Sequence, residues 1–292
     1  MTTALKINDD GWRAPARQPV ERHGAIRDWI EAGTHFRVDG AGPAVMLVHG
    51  VGLDLFMWDA VAALLASDYT VIRHDMLGHG SSAKPPGARI LGDFVRQLDA
   101  LHDYLELDRA AIVGFSMGAL VAQAFALEHP DKVARLVLMN GVYDRSAKAR
   151  DAVRARLAQV TADGPASTIA PALERWFTED FRRERPDVIA AVKARLEAND
   201  PHGFLAAYAV FAEADADLVG RLGGIDCPTL VMTAAGDTGS TPAMTAAMAT
   251  AIPGARAAVL QGLRHMAPVE DSPTVCDILT AFLAGRDHAA LT

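Results

Sequence analysis

The sequence predicts an α/β fold with a mostly parallel central sheet, helices on both faces and an inserted helical cap. Short apolar runs, typical of strands buried on both faces, alternate with helical patterns along most of the chain. Strands that alternate with helices of this length form parallel sheets covered on both faces. Residues 146–222 contain helical patterns and no such run. This block is therefore predicted to be a cap inserted between two core strands.

Six apolar runs predict the core strands, and five helical patterns accompany them. The final helix is predicted to begin with Ser272 as its N-cap, followed by Pro273 in the first turn. The chain then divides into a polar, irregular leader (1–32), a core (33–145 and 223–292) and the cap (146–222). The predicted strands are 44–48, 70–74, 110–113, 134–139, 229–232 and 257–260, and the other predicted helices are 56–65, 91–107, 117–128 and 242–251.

Composition limits the partners that the protein can have. The 292 residues carry a net charge of −8, so we expect neither nucleic acid nor an anionic membrane as a partner. No apolar run approaches the ~18 residues of a membrane span, and the N-terminus lacks the apolar region of a signal peptide, so a cytoplasmic location is expected. Cys227 and Cys276 show no metal-ligand or disulfide spacing and are expected to be buried thiols. We expect no metal and no cofactor, and the sequence leaves open whether the chain forms a homo-oligomer.

The pentapeptide Gly114-Phe-Ser116-Met-Gly118 joins a predicted buried strand to a predicted helix. A sharp strand-to-helix turn puts the central serine in strained backbone geometry, and glycine two residues away on either side avoids a clash. The serine then projects from the carboxyl edge of the sheet beside the N-terminus of a helix, where backbone N–H groups stabilise negative charge. The sequence therefore predicts Ser116 as a nucleophile.

A second glycine-rich loop, His49-Gly-Val51-Gly52, follows the strand at 44–48. Its glycines let the backbone turn tightly beside a substrate. We predict that the backbone N–H groups of Val51 and Met117 form an oxyanion hole. His49 is predicted to bond to nearby backbone and hold this loop rather than to act as a base.

A serine nucleophile requires a general base, and the base requires an orienting carboxylate. Asp237 follows the strand at 229–232, and His265 follows the strand at 257–260, so both are expected at the same sheet edge as Ser116. The other nine histidines lie near the chain ends, in helices, in the cap, in a strand or in loops without a nucleophile nearby. Asp144 is the reserve acid, and Glu270 and Asp271 are predicted to cap the final helix. Ser116, Asp237 and His265 are thus the predicted catalytic triad.

With these motifs, residues 33–292 resemble the α/β-hydrolase superfamily. The loop at 52–59, the turn at 78–82 and the elbow at 114–118 look like those of 3-oxoadipate enol-lactonases, and the cap segments 175–181, 185–187 and 199–204 are similar to the cap pattern of those enzymes. The resemblance implies hydrolysis of a small acidic enol-lactone in aromatic catabolism. Two positions depart from the pattern: Leu77 stands where an arginine is usual, and Ala119 stands where a second glycine follows the elbow.

The sequence thus predicts a serine hydrolase that cleaves a small carboxylic ester or lactone through an acyl-enzyme. Its pocket is expected between cap and core, lined by Phe115, Met117, Trp176 and Phe177. The same triad serves carboxylesterases, carbon–carbon bond hydrolases of aromatic ring-cleavage products and cofactor-free haloperoxidases, and a non-catalytic small-ligand receptor can share the fold. A serine at the elbow argues against haloalkane dehalogenases and epoxide hydrolases, which use aspartate there.

Overall fold

A computed structural model of the chain describes residues 27–31 and 33–289. Its strands are β1 (Arg27–Glu31), β2 (Thr34–Asp39), β3 (Ala44–Val48), β4 (Thr70–His74), β5 (Ala110–Phe115), β6 (Val133–Met139), β7 (Thr229–Ala234) and β8 (Arg256–Leu260). They form one sheet in the order β1-β2-β4-β3-β5-β6-β7-β8. Strand β2 is antiparallel to both of its neighbours, and all later pairs are parallel. The predicted α/β class with a mostly parallel sheet is confirmed.

The helices of the core surround this sheet, and five helices lie between β6 and β7. We call these five helices, α4 to α8, the cap. The helices are α1 (Asp59–Leu65), α2 (Leu91–Tyr104), α3 (Met117–Glu128), α4 (Ala147–Asp163), α5 (Ile169–Trp176), α6 (Glu179–Glu184), α7 (Pro186–Glu197), α8 (Pro201–Glu213), α9 (Pro242–Ala251), α10 (Ala267–Glu270) and α11 (Ser272–Leu283).

The sheet separates two buried apolar clusters because successive residues of a strand point to opposite faces. In β5, Ile112 packs with α3 on one face, whereas Val113 packs with α1 and α11 on the other. Both faces of the central strands are therefore buried, which is why each strand is a continuous apolar run. The carboxyl ends of β3, β5, β6, β7 and β8 meet at one edge of the sheet, where the loops that carry the predicted site lie.

Two local predictions are wrong. Residues 27–31, predicted as part of an irregular leader, form β1 at the edge of the sheet, where polar residues are common and the alternation signal is weak. The N-cap of α11 is Asp271, one of the two acids predicted to cap this helix, rather than Ser272, since the Asp271 carboxylate accepts the Thr274 N–H at 3.1 Å. Residues 1–26 and 32 of the predicted leader lie outside the described residues.

The two cysteines and the lengths of the helices bear on two further sequence predictions. Cys227 and Cys276 are buried free thiols, as predicted. Within residues 27–31 and 33–289, every helix is too short or too polar to cross a membrane.

Candidate active site

Ser116 lies in the sharp turn between β5 and α3. Its φ of 55° and ψ of −113° are strained for a residue with a side chain. A Cβ on Gly114 would lie 2.2 Å from the Gly118 carbonyl oxygen, and a Cβ on Gly118 would lie 2.3 Å from the Val48 carbonyl oxygen. The Ser116 N–H donates to the Met139 carbonyl at 2.9 Å. The glycine spacing therefore allows α3 to pack closely enough against the sheet to form this turn.

A buried histidine–carboxylate pair lies at the same edge of the sheet. His265 Nδ1 is 2.6 Å from Asp237 Oδ2, and Asp237 Oδ1 accepts the N–H groups of Gly239 and Ser240 at 2.9 and 3.0 Å. Burial favours the neutral acid, but the charge and hydrogen bond of His265, with bonds from Asn140 and Ser240, hold the Asp237 pKa below its usual value. An ionised Asp237 accepts a proton-bearing Nδ1, which leaves His265 Nε2 as the nitrogen able to take a proton.

The sequence interpretation missed Asn140, which supports this pair. Asn140 follows β6 with a φ of 49°, and its Nδ2 donates to Asp237 Oδ2 at 2.8 Å and to Thr233 Oγ1 at 3.2 Å. Asparagine tolerates positive φ better than most residues do, which is a sequence signal that could have pointed to a special turn after β6. Asp144, the reserve acid, is exposed at the cavity, whereas Asp237 is the carboxylate bonded to His265.

The loop after β3 presents backbone N–H groups near Ser116. His49 Nδ1 lies 2.8 Å from the Gly50 carbonyl oxygen, and its Nε2 accepts the Met76 N–H at 2.9 Å. Burial lowers the His49 pKa to about 3, so the ring is neutral and holds the loop, as predicted. Among the described residues, the N–H groups of Val51 and Met117 have no acceptor, which leaves both able to bind a ligand oxygen.

The sequence interpretation also missed the role of His79. Its Nε2 accepts the Gly52 N–H at 2.9 Å, and its Nδ1 lies 3.1 Å from the Leu77 carbonyl oxygen. Burial lowers the pKa of His79 to about 4, so this ring is neutral as well. The Gly-His-Gly turn therefore supports the loop after β3, although the two segments are far apart in the sequence.

A cavity of about 510 Å³ lies between the core and the cap, and Ser116, Asp237 and His265 all contribute to its wall. Phe115 and Trp176 line it as predicted, with ring centroids 4.9 and 5.9 Å from that of His265. Phe177 does not belong to the described lining. Its side chain is fully buried and stacks on Phe181 at 5.4 Å, so it does not line the cavity as predicted.

Met117 was also expected to line the pocket, but its side chain is fully buried within the core. It is not among the described residues that line the cavity. Because α3 begins at this residue, the side chain turns into the core below the sheet edge. Only the backbone N–H of Met117 therefore remains a candidate for substrate contact.

The loop that carries His265 is bonded to the cap. Glu270 Oε1 accepts the N–H and the hydroxyl of Thr178 at 2.7 and 2.5 Å, and Glu270 Oε2 accepts the Arg264 N–H at 3.2 Å. The Met266 N–H donates to the Trp176 carbonyl at 2.9 Å. Glu270 thus bonds the start of α6 to the histidine loop instead of capping α11, so the prediction that Glu270 caps α11 is wrong.

The cap wall of the cavity carries two arginines without an acidic partner. Arg156 Nε donates to the Tyr208 hydroxyl at 3.2 Å, and Arg175 Nη1 donates to the Pro171 carbonyl at 2.9 Å. Neither guanidinium forms an ion pair with any described residue. Burial, with a further effect of the Arg156 charge, lowers the pKa of Arg175. Two cations without an ion-pair partner in the wall of one cavity make a favourable place for an anionic group.

Leu77 and Ala119, the two departures from the enol-lactonase pattern, are not among the described residues that line the cavity. The Leu77 side chain is buried, and its N–H donates to Gln97 Oε1 at 2.8 Å. Ala119 is fully buried, and a Cβ on Gly141 would lie 2.9 Å from its methyl group. Both substitutions therefore act on packing behind the loops.

The comparisons with known proteins agree with this fold. A family model described as alpha/beta hydrolase fold matches residues 43–272, so the chain belongs to the α/β-hydrolase family. The crystal structure of the enol-lactonase from Burkholderia xenovorans LB400 superposes with a TM-score of 0.79 at 29% identity, covering 86% of this chain and 96% of that one.

Curated relatives point to the same group of hydrolases. The chain is 34% identical to (E)-2-((N-methylformamido)methylene)succinate hydrolase of Acinetobacter baylyi over 254 residues, which cover 85% of this chain and 93% of the relative. It is 29% identical to 3-oxoadipate enol-lactonase 2 of the same organism, over 67% of this chain and 72% of that enzyme. The predicted resemblance to 3-oxoadipate enol-lactonases is confirmed.

Proposed function

We propose that the protein is a serine hydrolase that cleaves a small carboxylic ester or lactone through an acyl-enzyme. The observation that carries the proposal is the 2.6 Å bond between His265 and Asp237 in the cavity that Ser116 lines from its strained turn. A base with an orienting carboxylate, in the wall of the same cavity as a serine hydroxyl, is the arrangement that activates serine for attack on a carbonyl.

In this mechanism, His265 Nε2 takes the hydroxyl proton as Ser116 Oγ attacks the carbonyl carbon. The Val51 and Met117 N–H groups bind the oxyanion, each stabilising the transition state by about 3 kcal/mol. His265 then passes the proton to the leaving alkoxide, which in a lactone stays attached to the acyl group. A water molecule, deprotonated by His265, attacks the acyl carbon. The bond from that carbon to Ser116 Oγ breaks, His265 returns the proton to Ser116, and the acid leaves.

The cavity favours a substrate that carries a carboxylate. Arg156 and Arg175 face it without an acidic partner, and a guanidinium binds a carboxylate through paired hydrogen bonds. The names of two relatives, a succinate derivative hydrolase and a 3-oxoadipate enol-lactonase, also describe acids. We therefore propose small acidic enol-lactones or esters as the substrate class, as the sequence resemblance implies.

Ester hydrolysis by the wild type and by Ser116→Ala tests the proposed function. The wild type is expected to hydrolyse a small aryl ester, and the variant to lose at least about 10³-fold in kcat/KM. Ser146→Ala, a change at another serine that lines the cavity, is the control and should retain most activity. Equal activity of the wild type and Ser116→Ala would contradict the proposal.

A substrate panel separates the related chemistries that share a triad. An enol-lactone, a neutral aryl ester and a dienoic ring-cleavage product are compared at the same enzyme concentration. The proposal predicts the highest kcat/KM for the enol-lactone. Faster turnover of the ring-cleavage product would instead indicate a carbon–carbon bond hydrolase.

A further inference from the structure

The loop after β3 is held at successive peptide groups by side chains from three separate parts of the chain. His49, at the end of β3, bonds to the Gly50 carbonyl at 2.8 Å. His79 accepts the Gly52 N–H at 2.9 Å. Asn199, between α7 and α8 of the cap, donates from Nδ2 to the Gly52 carbonyl at 2.7 Å. The core and the cap therefore both restrain this loop.

The restrained peptide groups lie before and after the Val51 N–H along the chain. This N–H belongs to the same trans peptide group as the Gly50 carbonyl, and the two point in opposite directions. Glycine on either side of Val51 gives the backbone wide freedom. Within the loop, the Leu53 N–H donates to the Gly50 carbonyl at 3.2 Å. The side-chain hydrogen bonds to the Gly50 and Gly52 carbonyls and to the Gly52 N–H add to that restraint.

The cap packs directly on this loop. Gly52 has a φ of 78°, and a Cβ there would lie 2.8 Å from the Phe204 ring and 3.2 Å from the Leu196 side chain. Asn199 Nδ2 also faces the carbonyls of Arg195 and Leu196 at 3.3 and 3.2 Å. All three partners of this nitrogen are carbonyl oxygens, which fixes it as the amide NH₂ group. Asn199 thus joins the C-terminal end of α7 to the loop.

We infer that Asn199 is a positioning residue that makes the oxyanion hole depend on the cap. With α7 in place, the Gly52 carbonyl is held and the Val51 N–H faces the reacting carbonyl oxygen. Without this bond, the loop rotates more freely and the N–H binds the oxyanion less well. The inference rests on the proposed function. It adds a cap residue, remote in sequence from the triad, that acts through the backbone of the oxyanion-hole loop.

The test compares wild type with Asn199→Asp, which keeps the size of the side chain but removes the donor. We expect kcat to fall about 10-fold or more, since loss of a whole oxyanion donor costs about 10²-fold or more, while KM changes little. A trifluoromethyl ketone, which forms an oxyanion on Ser116, should bind more weakly by about the factor lost in kcat/KM. The matching methyl ketone, which binds without forming that oxyanion, should bind as it does to the wild type.

Two controls distinguish positioning from a general effect on the cap. Lys193→Ala changes an exposed residue on α7 and should leave kcat and both ketone affinities unchanged. Thermal unfolding of each variant shows whether it is folded, and Asn199→Ser is measured in the same way if Asn199→Asp does not fold.

The outcomes separate this inference from the proposed function. The inference alone is overturned if wild-type turnover depends on Ser116 but a folded Asn199 variant keeps its kcat and its affinity for the trifluoromethyl ketone. Equal weakening of both ketones also overturns it, because the effect would then concern binding in general. A wild type without Ser116-dependent turnover overturns the proposed function, and the inference with it.

Discussion

At the scale of single residues, local patterns predicted Ser116 but could not predict the contacts of its distant neighbours. The elbow is determined within five residues, because Gly114 and Gly118 leave the space that the turn requires. The bond from Asn140 to Asp237 joins the ends of two strands that lie 97 positions apart in the sequence. Whether Trp176 or Phe177 faces the cavity depends on how α5 rotates against the core, and one of those two predictions is wrong.

Asp237→Asn should lower kcat/KM by about 10³-fold or more, because an amide at this position no longer selects the His265 tautomer with a proton on Nδ1. Asn140 also donates to the same carboxylate oxygen, so the new amide faces two donors. Steady-state kinetics on the aryl ester measure the effect. Asp144→Asn is the matched control, since Asp144 also lines the cavity, and it should stay within a few-fold of wild type. A larger loss in the control than in Asp237→Asn would refute the assignment of the acid.

Arg156→Gln and Arg175→Gln should each raise KM for a carboxylate-bearing ester by about 10-fold, since each removes a charged hydrogen-bond donor worth about 1.5 kcal/mol or more. KM for a neutral ester of the same shape should hardly change, and kcat should fall little for either ester. Arg183→Gln, on the exposed face of α6 where Arg183 pairs with Asp180, is the control. Equal effects on both esters would show that these arginines do not bind a substrate carboxylate.

At the scale of secondary structure, the sequence predicted the elements whose pattern is strong. The bounds of β3, β4, α3 and α9 match the prediction, because each is a continuous apolar run or a helix with clear ends. Strand β1 escaped notice because an edge strand with polar residues lacks the alternation of a half-buried one. The contact between the cap and the His265 loop could not be predicted either, because the sequence allowed Glu270 to bond to its own helix or to Thr178.

The close packing of α3 against β3 predicts the effect of Gly118→Ala. The new methyl group would lie 2.3 Å from the Val48 carbonyl oxygen, so α3 must move away from the sheet. We expect a loss of about 3 kcal/mol in the free energy of unfolding, measured by denaturant titration. In the control Gly223→Ala, the added Cβ has the Ala251 carbonyl at 3.9 Å as its nearest neighbour, and stability should change by less than about 0.5 kcal/mol. Similar stability of the two variants would contradict this account of the elbow.

At the scale of the whole molecule, several neutral histidines lie in the core behind the candidate site. Burial lowers the pKa of His49 to about 3 and those of His74 and His79 to about 4. In an unfolded chain these groups titrate near pH ~6.5. The sequence showed that His49 and His79 lie in loops beside strand ends, but their burial depends on how those loops pack together.

These histidines should make the fold sensitive to acid. As pH falls below ~6.5, the unfolded chain takes up protons that the folded protein does not bind, so stability decreases down to about pH 4. Each buried histidine then costs at most about 3 kcal/mol at pH ~4. His74→Met should reduce the dependence of the unfolding free energy on pH by about one proton. Stability near pH ~7 should be equal or higher, because neither ring nitrogen of His74 has a partner among the described residues. Denaturant titrations across this pH range measure both effects, and a slope unchanged by His74→Met would contradict the prediction.

The central claim is that Ser116 is a nucleophile activated by His265 and Asp237. Mass spectrometry after reaction with a fluorophosphonate tests it most directly, because the reagent forms a stable adduct with an activated serine. We predict a single adduct per chain on the peptide that contains Ser116, slower labelling of Asp237→Asn and no labelling of Ser116→Ala. A folded wild-type protein that stays unlabelled, or that carries the adduct on another residue, would contradict the claim.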